Sequence, residues 1–336
     1  AVGLWYTVKT KCVQRYLWKG LKQLFGGFSL RGGSQGGGMS SFQAVATAIA
    51  AQVGTGNIVG SAGAILVGGP GAIFWMWFIA VIGAATGFVE STLGQIYKVP
   101  VTGKKGETSF RGGPAYYLKY GLGYSAWAAL FAILISITYG MIYNSVQANT
   151  ISLALNSAFG FDRTVMGIIL AIASVAIICG GLGRIARVTE WMVPLMAGIY
   201  ILVALGIMIY HINLLPHVFA EIFKDAFSFQ AAAGGGMGAA ILTGFKRGLF
   251  SNEAGEGSVP NAAATADADH PVVQGLIQSF GVYVDTLFIC SASAFIILLS
   301  GDYTTTNLTG IELVQWNLSQ YFGSIAPSAV AILIFL

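Results

Sequence analysis

The sequence predicts an all-α protein that crosses a membrane many times, and three observations carry that expectation. Apolar residues make up 55% of the 336 and charged residues only 9%, against roughly 25% charged in soluble domains. No soluble fold of this length hides so much apolar surface. Apolar windows long enough to span fall at about 42–67, 71–97, 125–155, 164–183, 190–211, 229–250 and 271–300, with another opening near 326. The first and sixth of those windows are interrupted by glycines and polar residues.

The segments between the windows support the count. Lys9, Lys11, Arg15, Lys19, Lys22 and Arg31 precede the first, and Lys98, Lys104, Lys105, Arg111 and Lys119 follow the second. Arg184 and Arg187 separate the fourth and fifth, and Lys246 and Arg247 close the sixth. Alternating sides then collects 15 of the 17 Lys and Arg residues on one face, with Arg163 and Lys224 opposite. Such an excess marks cytoplasmic loops, so 7–41, 98–124, 184–189 and 246–270 are expected to be cytoplasmic.

On the other side, two stretches show helical apolar spacing: Leu215, Val218, Phe219, Ile222, Phe223 and Phe227, then Ile311, Val314, Leu318 and Phe322. They predict short amphipathic helices lying at the outer interface, the second within 302–324. Ala1–Tyr6 reads as the tail of an earlier span, and Pro327–Leu336 is about half a span. The chain is therefore expected to be a fragment of a longer protein, truncated at both ends.

Cys12, Cys179 and Cys290 are far apart, and His211, His217 and His270 lack a metal-motif partner, so neither a disulfide framework nor a zinc site follows. No nucleophile–base pair or metal cluster falls within the spans, which argues against an enzyme.

The first span carries the most information, in AAQVGTGNIVG at Ala50–Gly60. Gly54, Gly56 and Gly60 resemble a nucleotide loop, but that loop needs a strand before it and a soluble βαβ unit, so no nucleotide or nucleic acid is expected. A close-packed helix face would use Gly56 and Gly60 but leaves Gln52, Thr55 and Asn57 unexplained. A discontinuous helix accounts for all of them. Irregular backbone at membrane depth survives where it lines an enclosed cavity. The outer half-helix would offer free N–H groups and a positive dipole end to a carboxylate. The inner half would leave carbonyls for a cation such as Na⁺.

A second interruption is expected in the sixth span at Gly234, Gly235, Gly236 and Gly238. Interrupted first and sixth helices are the mark of two inverted five-helix repeats facing one midplane site. The first repeat would occupy about 42–211 and the second would open near 229, within a single domain over 1–336. The chain is thus expected to move something small across the membrane.

Two acids lie inside spans, and intramembrane carboxylates are functional candidates by default. Asp285 is expected to face a substrate ammonium or a coupling cation. Glu90, nearer the basic side, is expected to form a structural or gating ion pair. Asn144 and Gln147 are candidates for the cavity wall, with a helix–helix hydrogen bond as the competing role. Phe74, Trp75, Trp77 and Tyr143 are read as core or lipid-facing.

GTGNIVG, GGPGAIFWMW (68–77), RGGPAYYL (111–118), ARVTEWMVPLMAG (186–198), KRGLFSNEAGEGS (246–258) and HPVVQG (270–275) together resemble the alanine or glycine:cation symporter family, the bacterial and archaeal sodium:alanine symporters. The resemblance covers nearly the whole chain. It implies the leucine-transporter type of fold, with ten core helices and one in front. It also implies small neutral amino acids, chiefly alanine and glycine, as substrates, and Na⁺ (in some members H⁺) as the driving ion, with no organic cofactor.

Carried over by resemblance, the amides at Thr55 and Gly56 hold the substrate carboxylate. Asn57 and the Gln52 carbonyl, with Asp285 nearby, form one sodium site. The Ala50 and Val53 carbonyls supply half of a second, whose other half lies beyond Leu336. Gly234–Gly238 form the opposite pocket wall. A proton-coupled symporter, or an uncoupled facilitator or channel on the same fold, is the alternative.

Overall fold

A computed structural model of the chain describes residues 1–19, 22, 41–102, 108–228, 236–301 and 303–335. These are overwhelmingly helical. Helix α1 (Val2–Lys9) leads into a 3₁₀ turn (Val13–Tyr16). Next come α2 (Ser41–Gln52) and α3 (Thr55–Gly68), the two halves of the first predicted span, and α4 (Gly71–Ile96). A small antiparallel hairpin, β1 (Val99–Thr102) and β2 (Thr108–Arg111), precedes α5 (Pro114–Tyr120).

The third span runs Ser125–Phe159 as α6 (Ser125–Ile137), a π-helical stretch (Thr138–Tyr143) and α7 (Asn144–Phe159). Then follow α8 (Arg163–Ile178), α9 (Leu182–Tyr210), α10 (Leu215–Ala226), α11 (Gly236–Asn252) and α12 (Val259–Thr265). The seventh span is α13 (Pro271–Tyr283), a π-helical stretch (Val284–Cys290) and α14 (Ser291–Ser300). Finally come α15 (Gly310–Phe322) and α16 (Ile325–Phe335).

Among the described residues, four helical runs are long and apolar enough to cross a membrane: Gly71–Ile96, Ser125–Phe159, Gly183–Tyr210 and Pro271–Ser300. Pro271–Ser300 is the most enclosed and Ser125–Phe159 the least. That ranking follows from sequence: 271–300 carries Gln274, Gln278, Ser279, Asp285 and Thr286, all buried. Such side chains are tolerated only inside a bundle.

Helix α4 is the ruler of the molecule. Its Gly71 end meets Asp225 and Ala226 of α10, where Asp225 Oδ2 accepts the Gly71 N–H at 2.8 Å. Gly244 abuts Ala72 and Trp75, Gly248 abuts Met76 and Ile79, Gly83 faces Ala254, and Gly94 touches Pro260. Helices α11 and α12 therefore run alongside α4 in the same direction.

That register corrects one expectation. Lys246 and Arg247 lie within α11, level with the Met76–Ile79 part of α4, toward the end opposite Lys98. They are not part of a loop shared with Lys98. Residues beyond Ser258 do reach that end, where the Lys98 ammonium donates to the Ala266 carbonyl at 2.7 Å. Lys246 and Arg247 are exposed on α11, so charge sorting took a helical stretch for the start of a loop.

The two amphipathic helices form, and α15 packs one face on the bundle. It buries Ile311, Val314 and Leu318 against the bundle. Gln315 Nε2 donates to the Ala154 and Pro327 carbonyls at 3.1 and 3.0 Å. Asp302 lies outside the described residues.

Candidate functional site

The first span is broken at Val53–Gly54. Helix α2 ends at Gln52 and α3 begins at Thr55, with Gly54 extended at φ −129° and ψ −171°. A Cβ at Gly54 would meet the Gln147 amide, so a side chain there would displace that amide. That amide is the cap of α3. Gln147 Oε1 accepts the Thr55 N–H at 2.9 Å and also the Thr55 hydroxyl. An acceptor oxygen thus already occupies the dipole's positive end. At the next residue after Thr55, a Cβ at Gly56 would lie 3.1 Å from the Phe250 ring of α11.

Directly behind this N-terminus, polar groups from separate elements converge. Asn57 Nδ2 donates to the Gln52 carbonyl at 2.8 Å and to Asp285 Oδ1. Ser251 Oγ donates to Asp285 Oδ2, as does Thr286 Oγ1 at 3.1 Å. Asp285 is 0% exposed. The available atoms are a carbonyl, an amide oxygen, a hydroxyl and one carboxylate, a hard oxygen set suited to an alkali cation rather than a soft metal. Gln52 Oε1 is buried with no hydrogen-bond partner, while its Nε2 donates to the Asn252 carbonyl at 2.9 Å. Among the described residues no cluster of three or more His, Cys, Asp or Glu could hold a metal.

In front of the break lies a cavity of about 590 Å³. Ala50, Gln52, Val53, Thr55, Gly56, Asn57, Asn144 and Gln147 all line it, so the structure brings these predicted residues together. Asn144 also bonds its own helix, its Nδ2 donating to the Gly140 carbonyl at 3.2 Å. Asp285 does not line the cavity; it sits behind Asn57. Tyr143, set aside as core, does line it, and its ring lies 5.2 Å from that of Phe250.

The interruption expected in the sixth span at Gly234, Gly235, Gly236 and Gly238 is only partly within the described residues. Gly234 and Gly235 lie outside the described residues. Gly236 opens α11, which then runs unbroken to Asn252, and Gly238 is exposed with nothing around it. Among the described residues, a break that faces the first one is Glu253–Ser258, with positive φ at Glu253 (53°), Gly255 (94°) and Gly257 (85°). Left-handed backbone at alternating positions stops a helix, whereas successive glycines can continue one.

This second break is pinned by carboxylates. Glu90 Oε1 accepts the Gly255 N–H at 3.0 Å, Ser258 Oγ donates to Glu253, and the Tyr139 and Tyr143 hydroxyls donate to Glu256 Oε2 at 3.2 and 2.9 Å. Glu90 therefore holds backbone rather than the expected ion-pair partner. Glu90→Gln, which keeps an acceptor, is expected to change thermal stability little. Glu90→Ala leaves a buried N–H unsatisfied and should cost about 1–3 kcal/mol. Thermal unfolding of both purified variants checks this; equal losses would restore the ion-pair reading. Ser251, Thr286, Phe250 and Glu253 escaped the sequence reading. The available signal was NEAGEGS, where acids alternate with glycines after an apolar run.

Comparison with known proteins gives consistent matches. The profile of the sodium:alanine symporter family matches residues 1–336. A probable sodium/glutamine symporter of Bacillus subtilis is 52% identical over 335 residues, covering 99% of this chain and 68% of that protein. A putative sodium/proton-dependent alanine carrier protein of the same organism is 47% identical over 315 residues, 94% of this chain and 63% of that protein. A sodium/alanine symporter of Methanococcus maripaludis is 42% identical over 285 residues, 82% of this chain and 62% of that protein. The chain thus spans about two thirds of the length of these relatives.

Proposed function

We propose that this chain, which belongs to the sodium:alanine symporter family, comes from a secondary transporter that couples inward Na⁺ movement to uptake of small neutral amino acids, chiefly alanine and glycine. Membership makes it a multi-pass membrane carrier and not an enzyme. The observation carrying the finer reading is the broken helix: the N-terminus of α3 opens on the cavity, and the Asn57–Asp285 cluster lies within one turn behind it.

In this reading the substrate carboxylate takes over the acceptor position that Gln147 Oε1 holds at Thr55, with the Gly56 amide beside it. Sodium sits against the Gln52 carbonyl, Asn57 Oδ1, Ser251 Oγ and the Asp285 carboxylate, which neutralises it. The Ala50 and Val53 carbonyls serve a second sodium site. Each ligand orders the same turn of α3, so binding one lowers the ordering cost for the other; this is the coupling. Two breaks facing each other, at 53–54 and 253–258, support the inverted-repeat architecture in which one half rocks against the other around a fixed site.

The glutamine in the name of the Bacillus subtilis sodium/glutamine symporter and the cavity volume of about 590 Å³ favour a second reading in which larger neutral side chains enter. A competition panel against labelled alanine uptake, using the full-length transporter in proteoliposomes, separates the two. Glycine and serine should compete within about tenfold of alanine, and leucine and phenylalanine should not. Strong competition by glutamine would replace the small-substrate assignment. Strong competition by leucine would contradict the pocket formed by Gly54, Gly56 and Phe250.

A further inference from the structure

The chain begins with a concentration of positive charge that the transport reading leaves unused. No Asp or Glu precedes Glu90, while Lys9, Lys11, Arg15 and Lys19 fall within eleven residues of one another. The structure makes this a built surface rather than a loose tail. Val13 and Leu17 are buried at 4% and 5% exposure, Val13 packing with Ala85, Leu276, Tyr6 and Phe88. The turn between α1 and the 3₁₀ segment holds left-handed backbone at Lys11 (φ 52°) and Cys12 (φ 60°). The Cys12 N–H bonds the Thr7 carbonyl at 2.7 Å there. Gln14 Nε2 ties the segment to α4 through the Val81 carbonyl at 3.1 Å.

Val13 and Leu17 face inward, while all four cations are exposed. Two of them lie over rings, Lys9 over Trp5 at 4.7 Å and Lys19 over Tyr16 at 5.1 Å. Trp18, beside them, is 74% exposed. Exposed Trp and Tyr next to Lys and Arg is the composition of a membrane–water boundary, where long cationic side chains extend to headgroup level.

We propose that this face is a docking site for anionic phospholipid headgroups, the four cations meeting phosphate oxygens while Trp5, Tyr16 and Trp18 sit at the headgroup boundary. Charge complementarity selects the occupant. Four fixed cations without a nearby acid in sequence repel one another and are offset by phosphate, whereas a zwitterionic lipid supplies no net charge. The site does not depend on the identity of the transported solute.

The test is phosphatidylglycerol retention by the purified full-length transporter, read by native mass spectrometry against phosphatidylcholine. Each cation near an anionic surface contributes roughly fivefold in affinity. The variant Lys9→Gln/Lys11→Gln/Arg15→Gln/Lys19→Gln should therefore bind phosphatidylglycerol several hundredfold more weakly. The charge-preserving variant Lys9→Arg/Lys11→Arg/Arg15→Lys/Lys19→Arg should match wild type, and high salt should weaken wild-type binding. Should the fourfold variant fail to fold, Lys11→Gln alone should lose about fivefold. Unchanged retention in the neutralised variants, equal retention of phosphatidylcholine, or displacement of the lipid by inorganic phosphate at matched concentration would overturn the proposal.

Discussion

Asp285→Asn is expected to weaken apparent Na⁺ affinity by a hundredfold or more while the protein still inserts into the membrane. Asp285 is fully buried and receives donors from Asn57, Ser251 and Thr286. Those bonds orient a carboxylate but do not neutralise it, and a buried charge needs a counter-charge. Removing one member of a buried charge pair costs about 3–5 kcal/mol, which is at least two powers of ten in affinity. The asparagine keeps the shape but only one acceptor oxygen, so the loss reports the charge together with the bonds to the replaced oxygen. Labelled alanine uptake across a Na⁺ titration, with membrane abundance checked in parallel, reads the effect. An unchanged Na⁺ half-saturation would remove Asp285 from the cation site.

Asn57→Leu should produce the second largest loss. The side chain is 2% exposed and joins the Gln52 carbonyl of α2 to Asp285 of the seventh span. It therefore spans the break from one half-helix to the other. Leucine preserves volume approximately but removes the oxygen proposed to face sodium and the amide that donates to a charged group. A hydrogen bond to a charge is worth about 1.5–3 kcal/mol, so uptake at fixed Na⁺ should fall roughly tenfold to a hundredfold. The loss should shrink as Na⁺ is raised, because it acts through ion binding. Full uptake with wild-type Na⁺ dependence would show that Asn57 serves the bend and not the cation.

How the fold was legible depends on which physical signal each element carries. Spans were readable because a bilayer demands about twenty apolar residues whatever their neighbours. Most observed helices sit within about five residues of the expected windows, while the fifth starts eight residues earlier, at Leu182, and the sixth is described only from Gly236. The first break was readable because Gln52, Thr55 and Asn57 have no other reason to stand in an apolar run. For the second, counting glycines pointed to 234–238, of which Gly234 and Gly235 lie outside the described residues. GGGMG at 234–238 is conspicuous, yet Glu253, Gly255 and Gly257 have the backbone that stops a helix. Lys246 and Arg247, standing just before it, drew the whole block into a loop.

The π-helical stretches left no trace in periodicity. One of them carries Asp285, and the other carries Tyr139 and Tyr143, which reach Glu256. Both depend on neighbouring helices, as do Ser251 and Phe250, whose roles are set by what stands opposite them. Local sequence specifies where a helix runs; contact across the bundle specifies what its polar residues do.

The central claim is that sodium and substrate share one broken helix, so that the Na⁺ gradient does the concentrating. A tenfold Na⁺ gradient releases about 1.4 kcal/mol per ion, and a 100 mV potential adds about 2.3 kcal/mol per charge. Together these sustain roughly a 500-fold alanine gradient for one-to-one coupling. Concentrative uptake of labelled alanine by the full-length transporter in proteoliposomes, with Na⁺ and pH gradients imposed separately, is the most direct measurement. Accumulation toward that limit should occur with inward Na⁺ and an inside-negative potential at equal pH, and vanish without Na⁺. Equal accumulation on a pH gradient in the absence of Na⁺, lost in Asp285→Asn, would contradict the sodium assignment and make Asp285 the carrier of a proton.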